Sequence, residues 1–171
     1  MTSVSDSLIY RSSRPHGLDE FSLKRLVTWG EHLKVAQPQI DAQHQAIFDI
    51  AMEVADIWNK QGDVDRLTEL TDKLGRVLKA HFQFEEQQLE EIGYTKLAEH
   101  RAEHEVMLGE LQTILHRLEK MGHGSVKSQP GFLVLSFILG VTAGHITHSD
   151  MDYVAFARAA AGRNGQPWPA A

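Results

Sequence analysis

The sequence predicts an all-α protein, an up-and-down antiparallel four-helix bundle with an N-terminal arm. Four long segments place apolar residues at three- and four-residue steps, which is the period of an amphipathic helix. Glycine or proline lies near the ends of these segments, so the connections are short and neighbouring helices run in opposite directions. A chain of 171 residues can bury a core as one domain, and nothing in its length requires two.

The first two helices are predicted over about residues 40–60 and 64–92. The first ends before Gly62 and the second stops at Gly93, because glycine is a common helix terminator. Each segment carries one apolar stripe. The stripe residues are Ile47, Ile50, Ala51 and Val54 in the first segment and Leu67, Leu70, Leu74, Val77 and Leu78 in the second.

The third and fourth helices are predicted over about residues 95–121 and 130–161. Gly122 and Gly124 close the third helix. The fourth begins with Pro130, since proline is favoured in the first turn of a helix, and it ends at Gly162. The apolar residues of the third segment include Leu97, Met107, Leu111, Ile114 and Leu118, and the fourth contains the apolar run GFLVLSFILGV.

The two ends of the chain are predicted to lie outside the bundle. Residues 1–25 are rich in serine and are interrupted by Pro15 and Gly17, so we expect an arm with one short helix around residues 18–26. Residues 163–171 contain glycine and two prolines and are predicted to form a tail. This leaves residues 26–162 for the bundle.

The composition excludes several kinds of protein. A formal charge of -6, with 17 scattered lysines and arginines, argues against a nucleic-acid partner, which requires a basic surface. The longest apolar run, residues 131–141, is too short to span a membrane, so we expect a buried helix and no membrane partner. The N-terminal residues lack the apolar core of a signal peptide, and we expect a cytoplasmic protein.

The chain also contains no cysteine, so a metal could be bound only by imidazole and carboxylate groups. Side chains four residues apart stand one turn above each other on the same face of an α-helix. Histidines and acids with this spacing fall in line with the apolar stripes. The inward-facing candidates are His44 on the first helix, His81 and Glu85 on the second, His100 and His104 on the third, and His145 and Asp150 on the fourth.

A histidine and an acid four residues apart usually lie on a solvated helix face, so any single pair is weak support for a metal site. The alignment of all the pairs with the apolar stripes favours metal binding instead, because unpaired polar groups in a core cost about 1–3 kcal/mol each. Asp150 is the least secure ligand. Its five-residue step from His145 turns about 140° around an ideal α-helix.

Several short motifs resemble those of bacterial hemerythrins over about residues 29–157. They are IDAQH at 40–44, HFQFEE at 81–86, GY at 93–94, HRAEH at 100–104 and HITHSDMDY at 145–153, with Trp29 upstream. The resemblance implies two iron ions joined by an oxo or hydroxo bridge. It assigns His100, His104 and His145 to one iron and His44 and His81 to the other, with Glu85 and Asp150 bridging them.

The function that the resemblance implies is reversible dioxygen binding, for oxygen storage, delivery or sensing, at the iron that has one ligand fewer. No catalytic residue and no enzyme activity are expected. Two alternatives remain open, a di-iron oxidase or peroxidase, and a sensor of oxygen, nitric oxide or redox state that acts through an unknown protein partner. Zinc or manganese could also bind such ligands.

The chain departs from the family around the expected oxygen pocket, for which we select Thr142, Val141, Met107 and Trp29. A leucine usually lies three residues before the fourth-helix histidine, and here Thr142 occupies that position. Met107 stands where the family usually has phenylalanine. We expect Thr142 to open the pocket and to offer a hydrogen bond to a bound ligand or to water. The other acids near the second-helix ligands, Glu86, Glu90 and Glu91, are expected on a solvated face.

Overall fold

The computed structural model describes residues 24–164, which form helices and connecting turns with no β-strand among them. The prediction of an all-α bundle is confirmed. The part of the chain described contains a 3-10 turn at Glu31–Leu33, α1 at Pro38–Lys60, α2 at Val64–Glu91, α3 at Leu97–Met121, α4 at Gln129–Leu139, a π-helical segment at Gly140–Asp150 and α5 at Met151–Asn164. Most of the predicted arm and tail lies outside the described residues.

The first two helices begin where local side chains satisfy free backbone groups. At the start of α1 the side chain of Gln37 accepts a hydrogen bond from the amide of Ile40 (2.8 Å), and Pro38 occupies the first turn. At the start of α2 the carboxylate of Asp63 accepts from the amide of Asp65 (2.9 Å). Beyond α2 the backbone turns at Gly93, whose φ of 68° favours glycine.

The fourth rod of the bundle is built from three consecutive pieces, α4, the π-helical segment and α5. We predicted one regular helix that would end at Gly162, whereas the helix continues through this glycine to Asn164. By length and composition alone, Gln129–Ala159 could cross a membrane, but 72% of its most apolar window is buried within the protein. Such burial is typical of a core helix.

The short connections fix the direction of the helices. Only residues 61–63 join α1 to α2, and residues 92–96 join α2 to α3. A 23-residue helix is about 35 Å long, so connections of this length allow packed neighbours to run only in opposite directions. The bundle is therefore antiparallel through its first three helices, and α3 also packs against α4.

Two buried apolar clusters occupy the bundle, and the predicted ligands lie near the boundary between them in the sequence of each rod. On α1 the order is Ile40 in the smaller cluster, then His44, then Ile47 in the larger cluster. On α2, Phe82 belongs to the larger cluster and Leu89 to the smaller one. The polar ligands are thus placed in a layer that is closed on both sides by apolar side chains.

Candidate metal centre

The structure brings all seven predicted ligands together in the core of the bundle. Each has an exposed fraction of 6% or less. They fall into two groups whose candidate ligand atoms lie within 4.8 Å of one another. One group is Glu85, His100, His104, His145 and Asp150, and the other is His44, His81, Glu85 and Asp150. Because both groups contain Glu85 and Asp150, they are adjacent and share two carboxylates.

The π-helical segment explains how Asp150 reaches this centre. A five-residue step from His145 would point Asp150 away in an α-helix, but Gly140–Asp150 is π-helical, and its i to i+5 hydrogen bonds widen each turn. Residues five apart then share a face. Two threonines of this segment donate to backbone carbonyls four residues earlier, Thr142 to Ile138 at the end of α4 (2.9 Å) and Thr147 to Ala143 (2.7 Å).

The imidazoles converge through their Nε2 atoms. The Nε2 atoms of His44 and His81 are 3.2 Å apart, and those of His104 and His145 are 3.0 Å apart. The Oε2 atom of Glu85 lies 3.0 Å from His100 Nε2. Five ring nitrogens and two carboxylates from four rods therefore face one small volume.

The donor set fits metal ions better than it fits hydrogen bonds. Both carboxylate oxygens of Asp150 and Nδ1 of His44 are buried and lack a hydrogen-bond partner among the described residues. Asp150 has short contacts with His44 (3.1 Å) and His145 (3.0 Å), but they lack the direction of a hydrogen bond. A shared cation would satisfy these buried atoms together and remove the cost of leaving them without a partner.

Acidic and amide side chains hold the outer nitrogens of three imidazoles. Nδ1 of His104 lies 2.7 Å from Glu86 Oε1, and Nδ1 of His145 lies 3.0 Å from Glu103 Oε2. The expectation of a purely solvated role for Glu86 is therefore wrong. We did not predict Glu103, which also accepts a hydrogen bond from the Ser149 hydroxyl (2.7 Å).

The third outer contact joins Nδ1 of His81 to Gln43 Oε1 (3.2 Å), and the sequence analysis also missed this residue. These three partners could have been found from the sequence, because Gln43, Glu86 and Glu103 each directly precede or follow a predicted ligand. Such contacts set the orientation of a metal-binding imidazole and leave Nε2 free to bind.

Aromatic side chains complete the walls of the centre. Phe82 stacks on His104 with ring centroids 3.7 Å apart and planes 8° from parallel. Tyr153, which is fully buried, donates a hydrogen bond of 2.6 Å from its hydroxyl to Glu85 Oε1. These contacts fix one imidazole and one shared carboxylate in place.

The two shared carboxylates are held in their ionised form. Burial raises the pKa of Glu85, but His81, His100 and His104 outweigh burial and hold this pKa well below its usual value. Burial and the charge of Glu85 also raise the pKa of Asp150, and the neighbouring imidazoles of His145 and His44 again lower it below the usual range. Both groups are thus available as anionic ligands.

The imidazoles at the two ends of the centre differ in their affinity for protons. Burial lowers the pKa of His145, but Asp150 and Glu103 outweigh burial and raise it to about 10. For His81 burial dominates, and its pKa falls to about 4 even though Glu85 opposes this shift. Without a metal, the centre therefore binds a proton at His145 and none at His81 near neutral pH.

The four residues selected for the oxygen pocket are placed on the side of the larger apolar cluster. Met107 and Val141 are buried members of this cluster, and Trp29 packs against His44 with ring centroids 5.8 Å apart. Thr142 is fully buried. Its hydroxyl donates a hydrogen bond to the Ile138 carbonyl (2.9 Å). We expected this hydroxyl to donate to a bound ligand or to water, whereas in the structure its hydrogen is already used within the helix.

A helical bundle that gathers imidazoles and carboxylates from four rods in its dry interior is a metal-binding bundle. The family model described as the hemerythrin HHE cation binding domain matches residues 35–157. The chain therefore belongs to the hemerythrin family. A bacteriohemerythrin of Clostridium acetobutylicum is 24% identical over 132 residues, which cover 75% of this chain and 99% of that protein. No solved structure gives a significant match.

Proposed function

We propose that the protein binds two iron ions and uses them to bind dioxygen reversibly. One observation carries this proposal, namely that two buried ligand groups share Glu85 and Asp150. Two carboxylates common to both groups can bridge two ions, whereas one ion alone would leave the imidazoles of the other group unsatisfied. Two ferrous ions held at these positions would supply the two electrons that reversible dioxygen binding requires.

The ligand count supports an open position at one end of the centre. His100, His104 and His145 would hold one ion, and only His44 and His81 would hold the other, with both carboxylates common to the two. If the ions have similar coordination preferences, the two-histidine position has one ligand fewer and can accept a small molecule. Trp29 packs against His44 and closes this end with an apolar ring.

The ligands and neighbours of the centre favour reversible dioxygen binding over catalytic turnover. The ligand set contains five imidazoles and only two carboxylates, and neutral ligands favour the lower metal oxidation state. Di-iron oxidases of the ferritin type use carboxylate-rich sites instead. Two apolar rings lie beside the two-histidine position, since Trp29 packs against His44 and Phe82 packs against His81. We therefore propose a non-enzymatic role, with an oxidase or peroxidase as the alternative.

The test combines metal analysis with visible spectroscopy. Protein reconstituted with Fe²⁺ without oxygen should contain two irons per chain. A visible absorption band should appear in air and disappear on deoxygenation over several cycles. Irreversible bleaching, or steady consumption of peroxide well above that of free iron, would support the enzyme instead. His116→Gln changes an exposed histidine on α3 and provides a control that should retain both irons.

A further inference from the structure

The two metal positions differ in the charge of the groups behind their histidines. We propose that Glu86 and Glu103 act as positioning residues that make the three-histidine position the tighter one, so that it fills first and empties last. This inference rests on the proposed two-metal function. It adds an order of metal binding and assigns that order to side chains that contact no metal themselves.

On the three-histidine side, two of the imidazoles are backed by carboxylates. His104 donates to Glu86 over 2.7 Å, and His145 donates to Glu103 over 3.0 Å. The side chains of Glu86 and Glu103 are 24% and 42% exposed, and one oxygen of each faces an imidazole. Arg101 contacts Glu86 at 3.3 Å and limits its movement.

On the two-histidine side, no carboxylate backs an imidazole among the described residues. His81 faces the neutral amide oxygen of Gln43 at 3.2 Å. Nδ1 of His44 is buried and has no hydrogen-bond partner within residues 24–164. The neighbouring aromatic ring of Trp29 has an interplanar angle of 62° to the His44 ring and offers no oxygen acceptor.

A carboxylate behind an imidazole affects metal binding in two ways. It orients the ring through Nδ1, so that Nε2 faces the metal position. It also draws the Nδ1 proton towards itself and makes Nε2 a better electron donor. A neutral amide orients the ring in the same way but adds less electron density. Loss of such a partner typically weakens metal binding by about 10- to 100-fold.

The difference in ligand number acts in the same direction. The three-histidine position has one imidazole more than its neighbour and two carboxylate-backed imidazoles, whereas the two-histidine position has neither advantage. The shared carboxylates Glu85 and Asp150 belong to both positions and cannot discriminate between them. A form with one metal per chain, held by His100, His104 and His145, should therefore accumulate when metal is scarce.

The experiment is a graded chelator competition on protein loaded with Fe²⁺ without oxygen, with retained metal per chain as the readout. Wild-type protein should lose its metals in two steps with a plateau at one. Glu103→Gln should shift only the later step, by about 10- to 100-fold in chelator concentration. Glu105→Gln removes the same charge from an exposed position on the same helix and should shift neither step.

The complementary variant is Gln43→Glu, which gives His81 a carboxylate partner. It should shift the earlier step towards higher chelator concentration and shorten the plateau. This variant tests the inference even if Glu103→Gln fails to fold, which circular dichroism would reveal. Two metals lost in a single step, or a Gln43→Glu variant identical to wild type, would overturn the inference alone. Wild-type protein that never holds two metals would overturn the proposed function and the inference together.

Discussion

The hydroxyl of Tyr153 donates a hydrogen bond of 2.6 Å to Oε1 of Glu85, a carboxylate that belongs to both ligand groups. This contact leaves Oε2 of Glu85 to face His100 and His104, at 3.0 and 3.3 Å. A hydroxyl on α5 thus orients a carboxylate on α2.

Tyr153→Phe should destabilise the protein by about 1–3 kcal/mol, because a buried carboxylate oxygen loses its hydrogen-bond donor. We expect the metal-loaded protein to be affected less than the metal-free one if the metal compensates for the lost donor. Chemical denaturation of both forms measures the difference. Tyr94→Phe removes a hydroxyl from an aromatic neighbour of His100 and should change the stability much less. Equal effects of the two substitutions would contradict this role of Tyr153.

Removal of metal should lower the thermal stability of the bundle. Ligands that bind only the folded state stabilise it by about 2.7 kcal/mol when present at 100 times the dissociation constant. Calorimetric melting with and without chelator should therefore show a lower midpoint without metal, and added metal should restore it. His104→Gln should largely abolish the effect of chelator, whereas His116→Gln should preserve it. A midpoint that does not respond to chelator would argue against a metal in the core.

Metal loading should release protons near neutral pH and should weaken as the pH falls. In the metal-free centre Asp150 and Glu103 raise the pKa of His145 to about 10 against the effect of burial, so this group is protonated at pH 7 and must lose its proton when a metal binds. His81, with a pKa lowered to about 4 by burial, has no such proton to lose. A pH indicator in weakly buffered solution measures the release during titration with metal. Proton uptake on loading would contradict the assignment.

Thr142→Leu should slow both ligand entry and oxidation of the oxygenated protein, because a larger apolar side chain narrows the space on the side of the larger cluster. Stopped-flow spectroscopy and the rate of spectral decay in air measure these effects. The matched variant Thr142→Val keeps the size and removes the hydroxyl. Since this hydroxyl already donates to Ile138, Thr142→Val should oxidise at about the wild-type rate. A faster loss in Thr142→Val than in wild type would indicate that the hydroxyl, and not the size, controls oxidation.

Much of the candidate centre could be predicted because four of its ligands obey α-helical spacing. His81 with Glu85, and His100 with His104, lie one turn apart on apolar stripes, so periodicity alone directs each pair into the core. The single ligand on α1, His44, aligns with Ile47 and Ile40 in the same way. The spacing within one regular helix therefore predicts which side chains face the core, whichever helix packs against it.

Other features depend on contacts or backbone geometry that a regular helical pattern does not encode. Asp150 was placed on resemblance alone, because the widened turns that align it with His145 break the α-helical period. Glu86 and Glu103 are partly exposed, so their position on the helix does not reveal a partner. Glu86 reaches His104 because α2 packs against α3, and Glu103 reaches His145 because α3 lies beside the π-helical segment. The predicted domain limits at residues 26 and 162 stay predictions.

The π-helical segment makes the number of residues in the fourth rod as important as their identity. Deleting one residue between Gly140 and His145 would let a regular α-helix form, and everything beyond would rotate by about 100°. Relative to the residues before the deletion, both Asp150 and Tyr153 would swing away from Glu85 in one movement. Natural variation in this stretch should therefore consist of exchanges of side chains at constant length, and a one-residue gap would mark a relative that has lost its shared carboxylate.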